Sequence, residues 1–190
     1  MVEAHREGII NMKRFIGIGL VCVLLAIFIV NFMTTKSQPM KTQQVALTED
    51  NQRVMQATNF ELPTIDGEIM ELHSQHGKVV VLNFWATWCQ PCQQEAPHLQ
   101  AFYEENHEDI EILAVNLSHK DNGQKAVQSF VDEYGLTFPV LLDEKGEVST
   151  MYGAFTIPTT IILNDQGEII HEIAGPLDET SLKQLTSNAS

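Results

Sequence analysis

"VVVLNFWATWCQPCQQEAP", residues 79–97, places an apolar run, two cysteines and a helix-forming stretch in immediate succession. Val79 to Ala86 is β-branched, aliphatic and aromatic with little alternation, the pattern of a strand buried on both faces. From about Pro91 to Asn106 the spacing changes. Leu99, Phe102 and Tyr103 fall on one face of a helix, and Pro91 suits its first turn, where a missing N–H costs nothing. Pro97 cannot donate to the carbonyl of Gln93, so a kink is expected there. Cys89 and Cys92 therefore sit at a strand-to-helix junction.

Outward from this junction, strands and helices alternate. "NFELPTIDGEIMEL" (59–72) holds two short extended runs around Asp66-Gly67, a hairpin signal. "IEILAVNL" (110–117) is a second buried strand. Val127, Phe130, Val131 and Tyr134 give the i, i+3, i+4, i+7 stripe of a helix. "FPVLLD" (138–143) reads as a third core strand and "EVSTMYGA" (147–154) as a short helix. "TTIILNDQGEIIHEI" (159–173) is two strands about a turn at Asp165–Gly167, and Asp178 caps a last helix carrying Leu182 and Leu185. The pattern is an α/β sandwich with a mixed sheet, and no internal repeat is visible.

The chain has 190 residues, 44% apolar, enough for one domain. Its net charge of −14 is unevenly spread, since residues 1–41 carry five Lys/Arg against two Glu. The acidic remainder has no basic face for nucleic acid. Lys13 and Arg14 precede "FIGIGLVCVLLAIFIVNFM" (15–33), which as a helix spans roughly 28 Å, about a bilayer's hydrocarbon thickness. No small-x-small cleavage site follows, and the run is long for a signal-peptide core. An uncleaved transmembrane signal-anchor is expected, with residues 1–14 cytoplasmic and the folded part extracytoplasmic. Residues 34–58 are polar and aperiodic, a flexible linker spanning about 25–30 Å. The folded domain is expected over 59–190. Cys22 lies within the anchor as an apolar filler.

Disulfide exchange needs a thiolate, and a strand-to-helix junction favours one: unpaired N–H groups and the helix dipole both stabilise negative charge. Cys89 is thus the candidate nucleophile. Cys92, one turn on, is placed to resolve a mixed disulfide. A structural staple would close a tiny loop and stabilise little. A zinc site would need two further ligands, and no second C-x-x-C or close-set His pair exists, so no metal is expected. His73, His76, His98, His107, His119 and His171 are scattered, and surface placement is their simplest reading. Glu95 shares the Cys92 face of the helix. On residues alone it reads as a surface glutamate near a helix N-terminus, although its carboxylate could also approach the sulfurs. Pro158, in "TIPTT", reads by itself as an ordinary trans proline at a strand start.

"VVVLNFWATWCQPCQQEAP" together with "GAFTIPTTIILNDQGEII" resembles the thioredoxin superfamily, most closely its membrane-anchored TlpA/ResA-like thiol-disulfide oxidoreductases. The W-C-x-P-C motif, the helix proline five residues after the second cysteine and the downstream I-P-T occur in the same order, and the likeness covers about residues 58–187. It implies a thioredoxin-like three-layer sandwich with a mixed central sheet, an N-terminal hairpin and an inserted helix and strand at about 124–142. It also implies a redox-active Cys89–Cys92 disulfide with no other cofactor, a functional glutamate at Glu95, and a cis Pro158 facing the cysteines. Ile157 would then offer its backbone to an extended client, and Trp88 would shape the rim of the site. The chain departs from thioredoxin at Asn83, where thioredoxin has a buried acid; Asn83 cannot accept a proton, and Glu95 is a candidate for that task.

The implied function is reduction of disulfides in client proteins, such as apocytochrome c or sporulation and envelope proteins, with electrons from a transmembrane thiol donor. Two rivals stand beside it: a disulfide-donating oxidase, and a tethered binding or chaperone module using the groove at Pro158. Gln90-Pro91 between the cysteines does not set the direction.

Overall fold

The strand Val79–Trp85 is the organising element, buried along its whole length. In the computed structural model, which describes residues 45–47, 53–187 and 189, it lies inside a seven-stranded mixed sheet. In chain order the elements are β1 (Val45–Leu47), β2 (Arg53–Gln56), β3 (Glu61–Pro63), β4 (Ile69–Glu71) and β5 (Val79–Trp85), then α1 (Gln90–Asn106), β6 (Ile110–Asn116) and α2 (Gln124–Tyr134). They continue with β7 (Val140–Leu142), α3 (Glu147–Met151), β8 (Thr159–Leu163), β9 (Glu168–Ala174) and α4 (Glu179–Thr186). The sheet order is β1-β2-β9-β8-β5-β6-β7, with β3 and β4 forming a separate hairpin. β5, β6 and β7 run parallel, and β8, β9, β2 and β1 add antiparallel.

The two-residue period of a strand explains why β5 carries so little polarity. Val79, Val81 and Trp85 point into the core under α1 and α2, whereas Val80, Leu82 and Phe84 enter a second core with Phe60, Leu62 and Tyr152. Each buried side chain of this size contributes about 1.5–3 kcal/mol relative to exposure. Among the β5 side chains only Asn83 breaks the apolar run, and it too is buried.

Register brings three loops to one end of the sheet. Trp85 on β5 pairs with Asn116 on parallel β6, so both chains leave the sheet at the same edge. Phe84 pairs with Thr159 on antiparallel β8, so the residues just before β8 lie there as well. The loops 86–89, 117–121 and 155–158 are therefore neighbours.

The strands and helices expected over 59–187 form close to their expected bounds. Helix α1 runs unbroken through Pro97, which lies inside it on the exposed side. At the N-terminal side, backbone pairing begins before Asn59: Met55 and Gln56 pair with Ile169 and Glu168, and the Ala57 N–H donates to Gly167 O. Part of the 34–58 stretch, expected as linker throughout, is thus strand. Its run of four residues is too short for periodicity to register, and the exposed edge of β9 supplies the partner. The anchor expected at 15–33, the segment 1–14 and Cys22 lie outside the described residues. Among the described residues no helix is long and apolar enough to cross a membrane.

Candidate active site

Cys89 is the N-cap of α1. Its backbone is extended (φ −81°, ψ 105°), and its Sγ accepts the Cys92 N–H at 3.3 Å. A sulfur at a helix N-cap meets N–H groups that have no intrahelical carbonyl, and negative charge there is stabilised by the helix dipole. Cys89 and Cys92 are joined as a disulfide with their Cα atoms 5.2 Å apart. Both are nearly closed off, at 4% and 3% exposure. Exposure does not distinguish the two sulfurs; the capping position does.

Glu95, one turn beyond Cys92, is not on the surface. It is 1% exposed, with Oε1 accepting the Leu177 N–H at 2.9 Å and Oε2 accepting from Asn83 Nδ2 at 3.1 Å. Burial pushes its carboxyl up to about 7, against the downward pull of the hydrogen bonds from Leu177 and Asn83. Asn83 also donates to Thr160 Oγ1 at 3.0 Å. The amide that replaces thioredoxin's acid therefore holds the carboxylate that follows the dithiol. An open cleft of about 270 Å³ is lined by Glu95, His98, Leu177 and Asp178, among others.

The Ile157–Pro158 bond is cis, as the family likeness implies. Pro158 is buried, and half-buried Ile157 packs on the core cluster that contains Cys89 and Cys92. Among the described residues neither the N–H nor the C=O of Ile157 has a hydrogen-bond partner. An edge of this kind can receive an extended peptide. Trp88 is 52% exposed and donates Nε1 to Lys120 O at 3.0 Å.

Asp121 was not singled out by the sequence. Its carboxylate accepts the Thr87 N–H at 2.8 Å, the Thr87 hydroxyl, Asn116 Nδ2 at 2.7 Å and the Asn122 N–H at 2.7 Å. Partial burial alone would raise its carboxyl, but the hydrogen bonds from Thr87, Asn116 and Asn122 outweigh it and hold the group below the ordinary range. Gln93 Nε2 closes the same loop by donating to Thr87 O at 2.8 Å. The signal was a single Asp in a polar turn thirty-odd positions downstream, and only the parallel β5–β6 register brings it here.

All six weighed histidines are exposed. No cluster of His, Cys, Asp and Glu suited to a metal ion occurs among the described residues. A concavity of about 350 Å³ between β3 and α3 shares no residue with the dithiol site.

Residues 54–172 match the AhpC/TSA family. The chain is 42% identical over 130 residues to the thiol-disulfide oxidoreductase ResA of Halalkalibacterium halodurans, covering 68% of this chain and 72% of that protein. It is 37% identical over 142 residues to the sporulation thiol-disulfide oxidoreductase A of Bacillus subtilis, covering 74% and 85%. Among solved structures, StoA from Bacillus subtilis superposes with a TM-score of 0.61 at 37% identity, over 68% of this chain and 96% of that one. A strand-to-helix C-x-x-C cap, a buried glutamate one turn on and a cis-proline at the same sheet edge thus stand in a chain that belongs to the AhpC/TSA family, among its thioredoxin-like thiol-disulfide oxidoreductases of the ResA/StoA type.

Proposed function

We propose that the protein is anchored by residues 15–33 in the cytoplasmic membrane and reduces disulfides of client proteins on its outer face, apocytochrome c or sporulation and envelope proteins being the client classes. The Cys89 thiolate attacks a client disulfide and expels one client thiolate, leaving a mixed disulfide at Cys89. Glu95 takes the proton of Cys92, whose thiolate then attacks Cys89 Sγ. The Cys89–Cys92 bond forms, the second client sulfur leaves as thiolate, and the client has gained two electrons. A transmembrane thiol donor returns the pair to the dithiol state. Trp88, Ile157 and Pro158 receive the client chain, with the unpaired Ile157 backbone as the edge it joins.

The observation that carries this reading is the pairing of a helix-capping Cys89 with a buried Glu95 poised near neutrality. A base with that affinity both accepts and returns a proton at working pH. The reducing direction rests on topology: a tethered dithiol in an oxidising compartment needs electrons supplied to it.

Cys92→Ala is expected to freeze clients as mixed disulfides at Cys89, recovered from the membrane fraction and released by dithiothreitol. Recovery of no mixed disulfides, or of adducts only in a soluble cytoplasmic fraction, would overturn the proposal. The potential decides direction: below about −250 mV the protein reduces, whereas near about −120 mV it would donate its disulfide.

A further inference from the structure

The indole Nε1 of Trp85 is buried and has no hydrogen-bond partner among the described residues. Trp85 is 3% exposed, and an orphaned donor in such a place costs about 1–3 kcal/mol. Beside it lies a small cavity lined by Trp85, Asn83, Cys92, Ala114, Phe130 and Phe138, among others. The space left for the centre of a water molecule is ≈ 10 Å³, room for one. Asn83 is the second polar group of the lining. Both of its recorded bonds are donated from Nδ2, to Glu95 and to Thr160, and its Oδ1 accepts none among the described residues. The residues that line the cavity thus carry one unmatched donor, one unmatched acceptor and the resolving sulfur.

We infer that this cavity binds a single water which accepts from Trp85 Nε1, donates to Asn83 Oδ1 and turns its second O–H toward Cys92 Sγ, solvating the resolving thiolate. The assignment of the water's hydrogens follows from the protein. The indole N–H occupies a lone pair, the amide oxygen takes one hydrogen, and the remaining hydrogen faces the sulfur. A thiolate in an apolar pocket is otherwise disfavoured, because burial penalises the charged form. Trp85 and Asn83 are positioning residues that act through this water. The titratable groups near Cys92 are Cys89 and Glu95 along α1; β5, β6 and α2 present only Asn83, Trp85, Ala114 and Phe130 to the cavity.

The inference rests on the proposed roles of Cys89 and Cys92, and it affects one half of the exchange. In the resolving step Cys92 gives its proton to Glu95, its thiolate attacks Cys89 Sγ, the Cys89–Cys92 bond forms and the bond from Cys89 to the outgoing sulfur breaks. The water neither gains nor loses a proton.

Dithiobis(nitrobenzoate), an aromatic disulfide oxidant, separates the two halves. The test uses the reduced full-length chain carrying Cys22→Ser, so that two thiols remain. Cys89 releases one nitrothiobenzoate in a first phase, and Cys92 displaces the other in a second. Trp85→Phe is expected to slow the second phase about tenfold at pH 7 and to move its pH profile to higher pH, with the first phase unchanged. A second phase with the wild-type rate and profile would overturn the inference. Absence of a fast first phase from the unsubstituted dithiol would instead overturn the assignment of Cys89 beneath it. A measurement independent of the variant's folding uses wild-type chain with ¹⁵N-labelled tryptophan. The Trp85 indole N–H is expected to show a cross-relaxation peak to long-lived water, and its absence would remove the water site.

Discussion

Glu95 lies one turn after Cys92 and Asp121 binds the loop that leads into Cys89, yet their carboxylates are driven in opposite directions. Glu95 follows Cys92 on α1 and is sealed from water with two donors, Leu177 N–H and Asn83 Nδ2. Asp121 grips the backbone and hydroxyl of Thr87, two residues before Cys89, and takes four hydrogen bonds while still partly wetted. Desolvation wins at Glu95 and hydrogen bonding wins at Asp121. The difference teaches which residue can move a proton. A carboxyl near 7 exchanges one readily at neutral pH, whereas one held below its ordinary range is a permanent anion and serves as a clamp.

The comparison is sharpest as a pH dependence of stability, and Glu95 gives the larger effect. Its carboxyl is raised from 4.5 to about 7 on folding, so the folded protein binds more protons than the unfolded chain between those values. The contribution of Glu95 is therefore fully present below about 4.5 and is lost as pH rises toward and through 7, by about 3 kcal/mol in all. Glu95→Gln is expected to lack this loss. Urea melts of the oxidised protein from pH 4 to pH 8, where neither sulfur titrates, should show wild type and variant diverging by about that amount in favour of the variant. Parallel curves would mean that Glu95 is not desolvated.

Asp121 has the opposite sign and a smaller size. Its stabilisation is present above its ordinary value and fades as pH falls through the depressed one. Asp121→Ala leaves the Thr87 N–H and the Asn116 amide without their acceptor, a loss of about 2 kcal/mol at pH 7. Asp121→Asn keeps acceptor oxygen for Thr87 and is expected to recover more than half of that. Because Thr87 leads into Cys89, the alanine variant should also slow the first thiol release while the asparagine variant retains it. Equal damage from both would indicate that the charge, and not the hydrogen bonds, holds the loop.

How much of this was legible in the sequence follows from which forces act locally. β5, α1, the β3–β4 hairpin and the Asp178 cap are written in periodicity and turn chemistry, and they form where those signals lie. The C-x-x-C pair was readable because its junction is local. Burial of Glu95 was not, because the residues that seal it, Asn83 from β5 and Leu177 from the segment before α4, arrive from separate parts of the chain. Asp121 depended on register between parallel strands, which no local pattern encodes. The cis bond at Pro158 followed from family likeness alone, since the residues by themselves favour trans. β2 was lost because a strand of four residues has too few positions to show a period.

The smallest effect on stability belongs to Trp88, the rim residue that Asp121's loop supports. Half of its surface is in water, and its single recorded hydrogen bond, to Lys120 O, is itself exposed. Trp88→Ala is therefore expected to change stability by less than about 1 kcal/mol. Its effect on a client should be larger than its effect on a small disulfide. An indole ring at the rim buries against a polypeptide but has little to cover on a reagent the size of dithiobis(nitrobenzoate). The variant should then raise KM for a disulfide-bonded protein client several-fold, leaving kcat and the reaction with the small reagent near wild type. A fall in kcat with both substrates would place Trp88 instead with Asp121 and Thr87, among the groups that hold Cys89 on the end of its helix.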